Sequence, residues 1–214
     1  MPERIAIEID GGGIEPPARL TILLNKPRGV VTTRRDPQGR PTVLDLVSDA
    51  PARVFPVGRL DLATTGLLML TNDSRFADWV TDPVNRVPRT YVVTVRGALD
   101  GESPGRLQAG VELDGETLHA TAVEIRKRSQ RETHLVVTLT EGKNREIRRL
   151  FAALGHEVTR LKRIAFGGLT LGDVAPGRWR VVSDAELRAA FPGRPPRQRN
   201  LRKSAWTGGP GSAA

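Results

Sequence analysis

Apolar and polar residues alternate along several stretches of this chain, and alternation of period two marks a strand with one buried face. "RIAIEID" near the N-terminus, "RTYVVTVRG" from Arg89 and "THLVVTLTEG" from Thr133 carry that pattern. Two shorter apolar runs, "VFPV" from Val54 and "LLMLT" from Leu67, read as strands joined by the polar insert "GRLDLATTG". "RLTILLNKPRGVVTT" predicts a strand on either side of the turn Asn25-Lys26-Pro27-Arg28-Gly29. "EVTRLKRIAFGGLTL" returns as a strand, and "GRWRVVSDAELRAAF" closes with a strand and a short helix.

Helical spacing appears in two further places. In "NREIRRLFAALGH", Ile147, Leu150, Phe151 and Leu154 occupy i, i+3, i+4 and i+7, with Gly155 at the C-cap. "NDSRFADWVTD" offers Asp73 or Ser74 as N-cap, sets Phe76, Trp79 and Val80 on one face, and ends at Asp82-Pro83. "RRDPQGRPTVLDLV" is a loop running into a short helix-like segment, and "GESPGRLQAGVELDGETLHATAVEIRKRS" reads as a helix-turn followed by strands. Sequential strands with occasional helices predict an α+β fold around a largely antiparallel central sheet flanked by helices.

Charge narrows the partners. Against 24 acidic residues stand 33 Lys and Arg, a formal net charge of +9, which points to a polyanion. The chain has no apolar run of membrane-spanning length and no signal-peptide pattern, so nucleic acid is the expected polyanion. There is no cysteine, which excludes disulfides, thiolate metal sites and a thiol nucleophile. His119, His134 and His156 stand too far apart in sequence to form a helical metal pair. The chemistry must therefore come from Asp, Glu, Tyr, Ser, Thr, Lys or Arg.

The basic residues gather in groups. Lys26, Arg28, Arg34, Arg35 and Arg40 surround the first loops, and Arg126, Lys127, Arg128 and Arg131 form a second group. Lys143, Arg145, Arg148 and Arg149 sit at the start of the amphipathic helix, with Arg160, Lys162 and Arg163 beyond it. Cations oppose the macrodipole at a helix N-terminus, so something negative is expected among them. At about 100° per residue, Arg149 falls opposite the apolar arc and is expected to face water. Arg148 lies at the border of that arc, where a side chain can enter a cleft. The insert "GRLDLATTG" is longer than a tight hairpin needs, and its ends Gly58 and Gly66 allow sharp bends. On its own, that loop reads as a turn capped by Asp61 with Arg59 solvated.

The residues of that insert resemble a known signature. "GRLDLATTGLLMLTND" is similar to the signature of pseudouridine synthases of the RsuA type: G-R-L-D, then a threonine, G-L-L and an apolar run ending T-N-D. "NKPRGVVTT" resembles that family's first motif, and "RTYVVTVRG" and "LTEGKNREIRRLF" its second and third. "DPQGRPTVLDLV" resembles the branch acting on large-subunit ribosomal RNA. The resemblance runs from about Leu20 to Val182 in the family's order.

It implies the pseudouridine synthase fold, with an active-site cleft across the sheet, and isomerisation of uridine in ribosomal RNA without cofactor or metal. Asp61 matches the catalytic aspartate, Tyr91 the tyrosine that stacks on the uracil, and Arg148 the basic residue paired with the aspartate. Leu150 matches an apolar residue packed against that pair, and Arg59 the arginine that holds the flipped nucleotide's surroundings. Lys26, Arg28, Lys143, Asn144 and Arg145 are the further expected RNA contacts. Attack at C1′ of the ribose and attack at C6 of the base both remain open. So do a non-catalytic RNA-binding assembly factor and a synthase acting on small-subunit RNA or tRNA. Many members carry an S4-type RNA-binding domain, and residues 1–18 resemble only the end of one. Residues 19–191 are expected to form the catalytic domain of a cytoplasmic monomer, and residues 192–214 a basic disordered tail.

Overall fold

Most of the strands marked out by the hydrophobic pattern join one nine-stranded sheet. The computed structural model describes residues 18–194 and the backbone of 8–9 and 12–13. The predicted strand "RIAIEID" and the basic tail lie largely outside those residues. In chain order, β1 (Glu8–Ile9) and β2 (Gly12–Gly13) pair with each other. They are followed by β3 (Thr21–Lys26), β4 (Phe55–Pro56), β5 (Thr65–Thr71), α1 (Ser74–Thr81) and β6 (Arg89–Arg96). Then come α2 (Ser103–Ala109), the hairpin β7 (Val111–Leu113) and β8 (Glu116–Leu118), β9 (Ala122–Arg128) and β10 (Glu132–Leu139). The chain continues through α3 (Glu146–Ala153), β11 (Val158–Phe166), β12 (Leu169–Thr170), β13 (Trp179–Val181) and α4 (Asp184–Ala190).

The sheet order is β13-β3-β5-β11-β6-β10-β9, with β4 on β5 and β12 on β11. Among these pairings only β5 with β11 is parallel, so the sheet is largely antiparallel as expected. The continuous apolar runs of β3 and β5 are buried on both faces, whereas alternating β10 is buried on one. Leu68 and Leu70 of β5 join Ile147, Leu150 and Phe151 of α3 in one core. Leu67 and Met69 join Phe76 and Val80 of α1 and Leu187 of α4 in the other. Central strands thus support helices on both faces. No helix among the described residues is long and apolar enough to cross a membrane.

Local signals decide the helix ends. The Asp73 carboxylate accepts the Phe76 N–H at 3.3 Å and caps α1. At the end of α3 the Gly155 N–H donates to Ala152 O and the His156 N–H to Phe151 O. That pair of bonds needs the left-handed backbone of Gly155, one position past the cap. One expected strand is missing: the segment after Gly29 forms only a single bridge, Val31 to Thr42. Its backbone bonds run to the chain around Thr42, the Val31 N–H to Pro41 O and the Val43 N–H to Val31 O, while the Gly29 N–H and the Thr32 hydroxyl reach the loop carrying Asp61.

Candidate active site

The connection between β4 and β5 is tied down at several points. Thr32 Oγ1 donates to Leu60 O at 2.8 Å, the Gly29 N–H to Leu62 O at 2.9 Å, and the Thr64 N–H to Asp61 O at 3.0 Å. Beneath the loop lies Lys26, 0 % exposed. Its Nζ donates to Pro27 O and Asp61 O, each at 3.1 Å, and to Thr64 O at 3.0 Å. Burial pulls this ammonium down to about 8, and the neighbouring Asp61 charge opposes that fall. Lys26 was expected to touch RNA, and the structure corrects that expectation. All three of its donors are committed to backbone carbonyls and no surface of it is left for a phosphate. With the backbone held this way, the Asp61 side chain stays 38 % exposed.

Asp61 stands at a cleft of about 400 Å³ whose walls include Arg59, Thr64, Tyr91, Asn144, Arg145 and Ile147. Tyr91 reaches it by strand register. Lys26 of β3 pairs with Gly66 of β5, Gly66 with Arg163 of β11, and Arg163 with Tyr91 of β6. These four positions make one row across the sheet. Gly66 is required in it: its φ is +99°, and a Cβ there would lie 2.2 Å from Arg163 O.

The arginines do not divide as helix geometry suggests. Arg145 Nη1 lies 3.6 Å from Asp61 Oδ2 and makes the ion pair. Arg145 precedes α3 in a left-handed conformation, φ 48°, which turns it towards the loop instead of along the helix. Arg148, one turn later, donates from Nη1 to Val158 O at 2.8 Å. Its Nε is buried with no protein partner. Burial, then the charges of Arg145 and Arg28, lower its pKa, while Asp61 acts in the opposite direction. It is therefore an electrostatic neighbour of Asp61 and not its ion-pair partner.

Arg149 was expected to face water. It is instead clamped to the β7–β8 hairpin, pairing with Glu116 and with Asp114 at 3.2 Å. Lys143 borders the cleft but is engaged with Glu141 at 3.0 Å and Glu116 at 3.6 Å. Leu150 is buried in the core, and the apolar α3 side chain on the cleft wall is Ile147. Arg28 and Arg59 are exposed, and Arg59 and Asn144 border the cleft.

The cleft also contains residues absent from the expected set. Two guanidinium groups lie over Phe166, with Arg89 Cζ 4.9 Å and Arg163 Cζ 5.0 Å from its ring centroid. Both arginines are buried and border the cleft. Arg89 donates to Val87 O, Thr140 O and Glu141 O, at 3.1 to 3.3 Å. Glu146 beside it is buried, which pushes its carboxyl up to about 6. The signal for these arginines was strand alternation: Arg89 shares parity with Tyr91, and Arg163 with Leu161. Reading Arg160, Lys162 and Arg163 as one charge cluster hid it. Among the described residues no group of acidic and histidine side chains could hold a metal ion.

A family model described as RNA pseudouridylate synthase matches residues 20–153, which span both the Asp61 loop and the whole of α3. The chain belongs to that family. Its curated relatives include an uncharacterized RNA pseudouridine synthase of Aquifex aeolicus, 39% identical over 191 residues, which are 89% of this chain and 77% of that one. The ribosomal large subunit pseudouridine synthase B of Bacillus subtilis is 38% identical over 184 residues, 85% of this chain and 75% of the relative. Among solved structures, a pseudouridylate synthase crystal structure superposes with a TM-score of 0.70 at 28% identity, covering 79% of this chain and 73% of that one. The synthase thus has the α+β fold of its family and is an enzyme acting on RNA, as its RsuA-type motifs imply.

Proposed function

We propose that this synthase isomerises uridine in large-subunit ribosomal RNA. Asp61 is the nucleophile, Tyr91 the ring against which uracil stacks, Arg145 the cation paired with the carboxylate and Arg148 a second positive charge behind it. One observation carries the reading: Asp61 from a loop and Tyr91 from a strand converge on one cleft, with Arg145 in reach of the carboxylate. The large subunit is favoured by the name of the Bacillus subtilis relative and by the segment "DPQGRPTVLDLV".

The reaction breaks the N1–C1′ bond, turns the uracil and joins C5 to C1′. The C5 proton leaves and N1 gains one. A carboxylate serves as nucleophile through attack at C1′ or at C6, and no redox step is involved. The base must leave its stack, which costs a few kcal/mol. Phosphate contacts from exposed cations, Arg59 at the rim and Arg28, offset that cost.

Tritium release from C5-labelled uridine in ribosomal RNA lacking the modification tests this assignment. Wild type releases the label, while Asp61→Asn binds the same RNA and releases none. Release by Asp61→Asn at the wild-type rate would remove Asp61 from the chemistry. Labelled small-subunit RNA is the control for the choice of subunit.

A further inference from the structure

Every donor of Arg89 that is shown bonding meets a backbone carbonyl, but Arg163 is different. The residue is 3 % exposed, and its Nε donates to Leu67 O at 2.7 Å. Its Nη2 is buried with no hydrogen-bond partner. A buried guanidinium donor left unpaired is costly, and Nη2 is covered in the free enzyme, so an acceptor that arrives with the substrate recovers that loss once the side chain turns towards the cleft. Arg163 borders the cleft, sits directly opposite Tyr91 in the sheet, and is backed by the Phe166 ring.

We infer that Arg163 reads the target base, its guanidinium donating a hydrogen bond to a carbonyl oxygen of the flipped-out uracil. Depth separates this acceptor from a phosphate. Asp61, which must reach C1′ or C6, is at the part-exposed mouth of the cleft, whereas Arg163 is at its buried end beside Leu161 and Phe166. A nucleotide entering base first brings its carbonyl edge to Arg163 and leaves its phosphates at the rim with Arg59. The inner surface is mostly apolar, which suits a neutral planar base. Arginine has no acceptor and accepts nothing from an amine. If the contact is to O4, the same side chain rejects cytidine, which carries an amino group there.

The inference rests on the cleft being the uridine pocket. The Asp61→Asn experiment reads that point independently. The test here uses short RNAs carrying the mapped target as uridine, 2-thiouridine or 4-thiouridine, since sulfur is a weak acceptor. For wild type, one thio substitution lowers kcat/KM by roughly tenfold relative to uridine. In Arg163→Met that penalty disappears, because the donor is already gone, and in Arg163→Lys it is reduced. Two results would overturn the inference. One is wild type turning over both thio RNAs as fast as uridine, which requires no variant to fold. The other is a thio penalty that persists at full size in Arg163→Met or Arg163→Lys.

Discussion

Glu146 is 4 % exposed; its carboxyl accepts the Lys143 N–H at 3.2 Å and has the Arg89 charge nearby. Desolvation outweighs both attractions and raises the group from 4.5 to about 6. For an acid raised on folding, the stabilising contribution is complete below pH 4.5 and is lost as pH rises through about 6. The loss amounts to about 2 kcal/mol by pH 7. Glu146→Gln keeps an acceptor for Lys143 without the titration. Denaturant midpoints at pH 5 and pH 7 should therefore show wild type losing stability relative to Glu146→Gln as pH rises. A gap independent of pH would mean the carboxyl titrates normally. At this scale the sequence was informative for Asp61 and Tyr91, which sit in distinctive strings. Burial, in contrast, is settled by contacts distant in the chain, so Lys26 read as an RNA contact and neither Arg89 nor Glu146 stood out.

Short elements in this fold depend on their ends. α1 spans only Ser74–Thr81, too short to persist alone, and Asp73 serves it twice. It caps the helix, and its other oxygen pairs with Arg19 at 2.8 Å, just before β3. Asp73→Ala should lower stability by about 1 kcal/mol, chiefly through the cap, and thermal unfolding would show it. Asp73→Asn, which can still cap, should recover most of the loss. This cap was legible because capping is local, within three residues. The strand expected after Gly29 was misread for the opposite reason. Its Val-Val-Thr-Thr composition favours β structure, but Val31 is bonded to Pro41 and Val43 and Thr32 to the Asp61 loop, about thirty residues away, so no hairpin partner remains for it. Arg148, which the resemblance pairs with Asp61, donates to Val158 O here, and the ion pair is made by Arg145, the left-handed residue before the helix that an ideal helical wheel omits.

For the molecule as a whole, nine units of net positive charge act on a polyanionic substrate, and the exposed cations at the rim should govern affinity. Arg59→Ala should weaken RNA binding and reduce the slope of log K against log salt by about one. Filter binding at several salt concentrations measures both quantities. An unchanged slope would place Arg59 away from the phosphates. The α+β class was legible from the order of strands and helices, and so was most of the sheet's membership. The row Lys26, Gly66, Arg163, Tyr91 was not, because it depends on the registers of three strand pairings.

That row ends in a lysine that doubles as a reporter. Lys127 and Lys162 are exposed and available to an amine-acylating reagent at once. Lys26 is sealed by the very carbonyls that its ammonium holds, including that of Asp61. Acylation of Lys26 therefore requires the Asp61 loop to lift from β3, and its labelling rate measures how often the loop opens. The chain thus allows the breathing of its Asp61 loop to be timed by mass spectrometry, with no probe added to it.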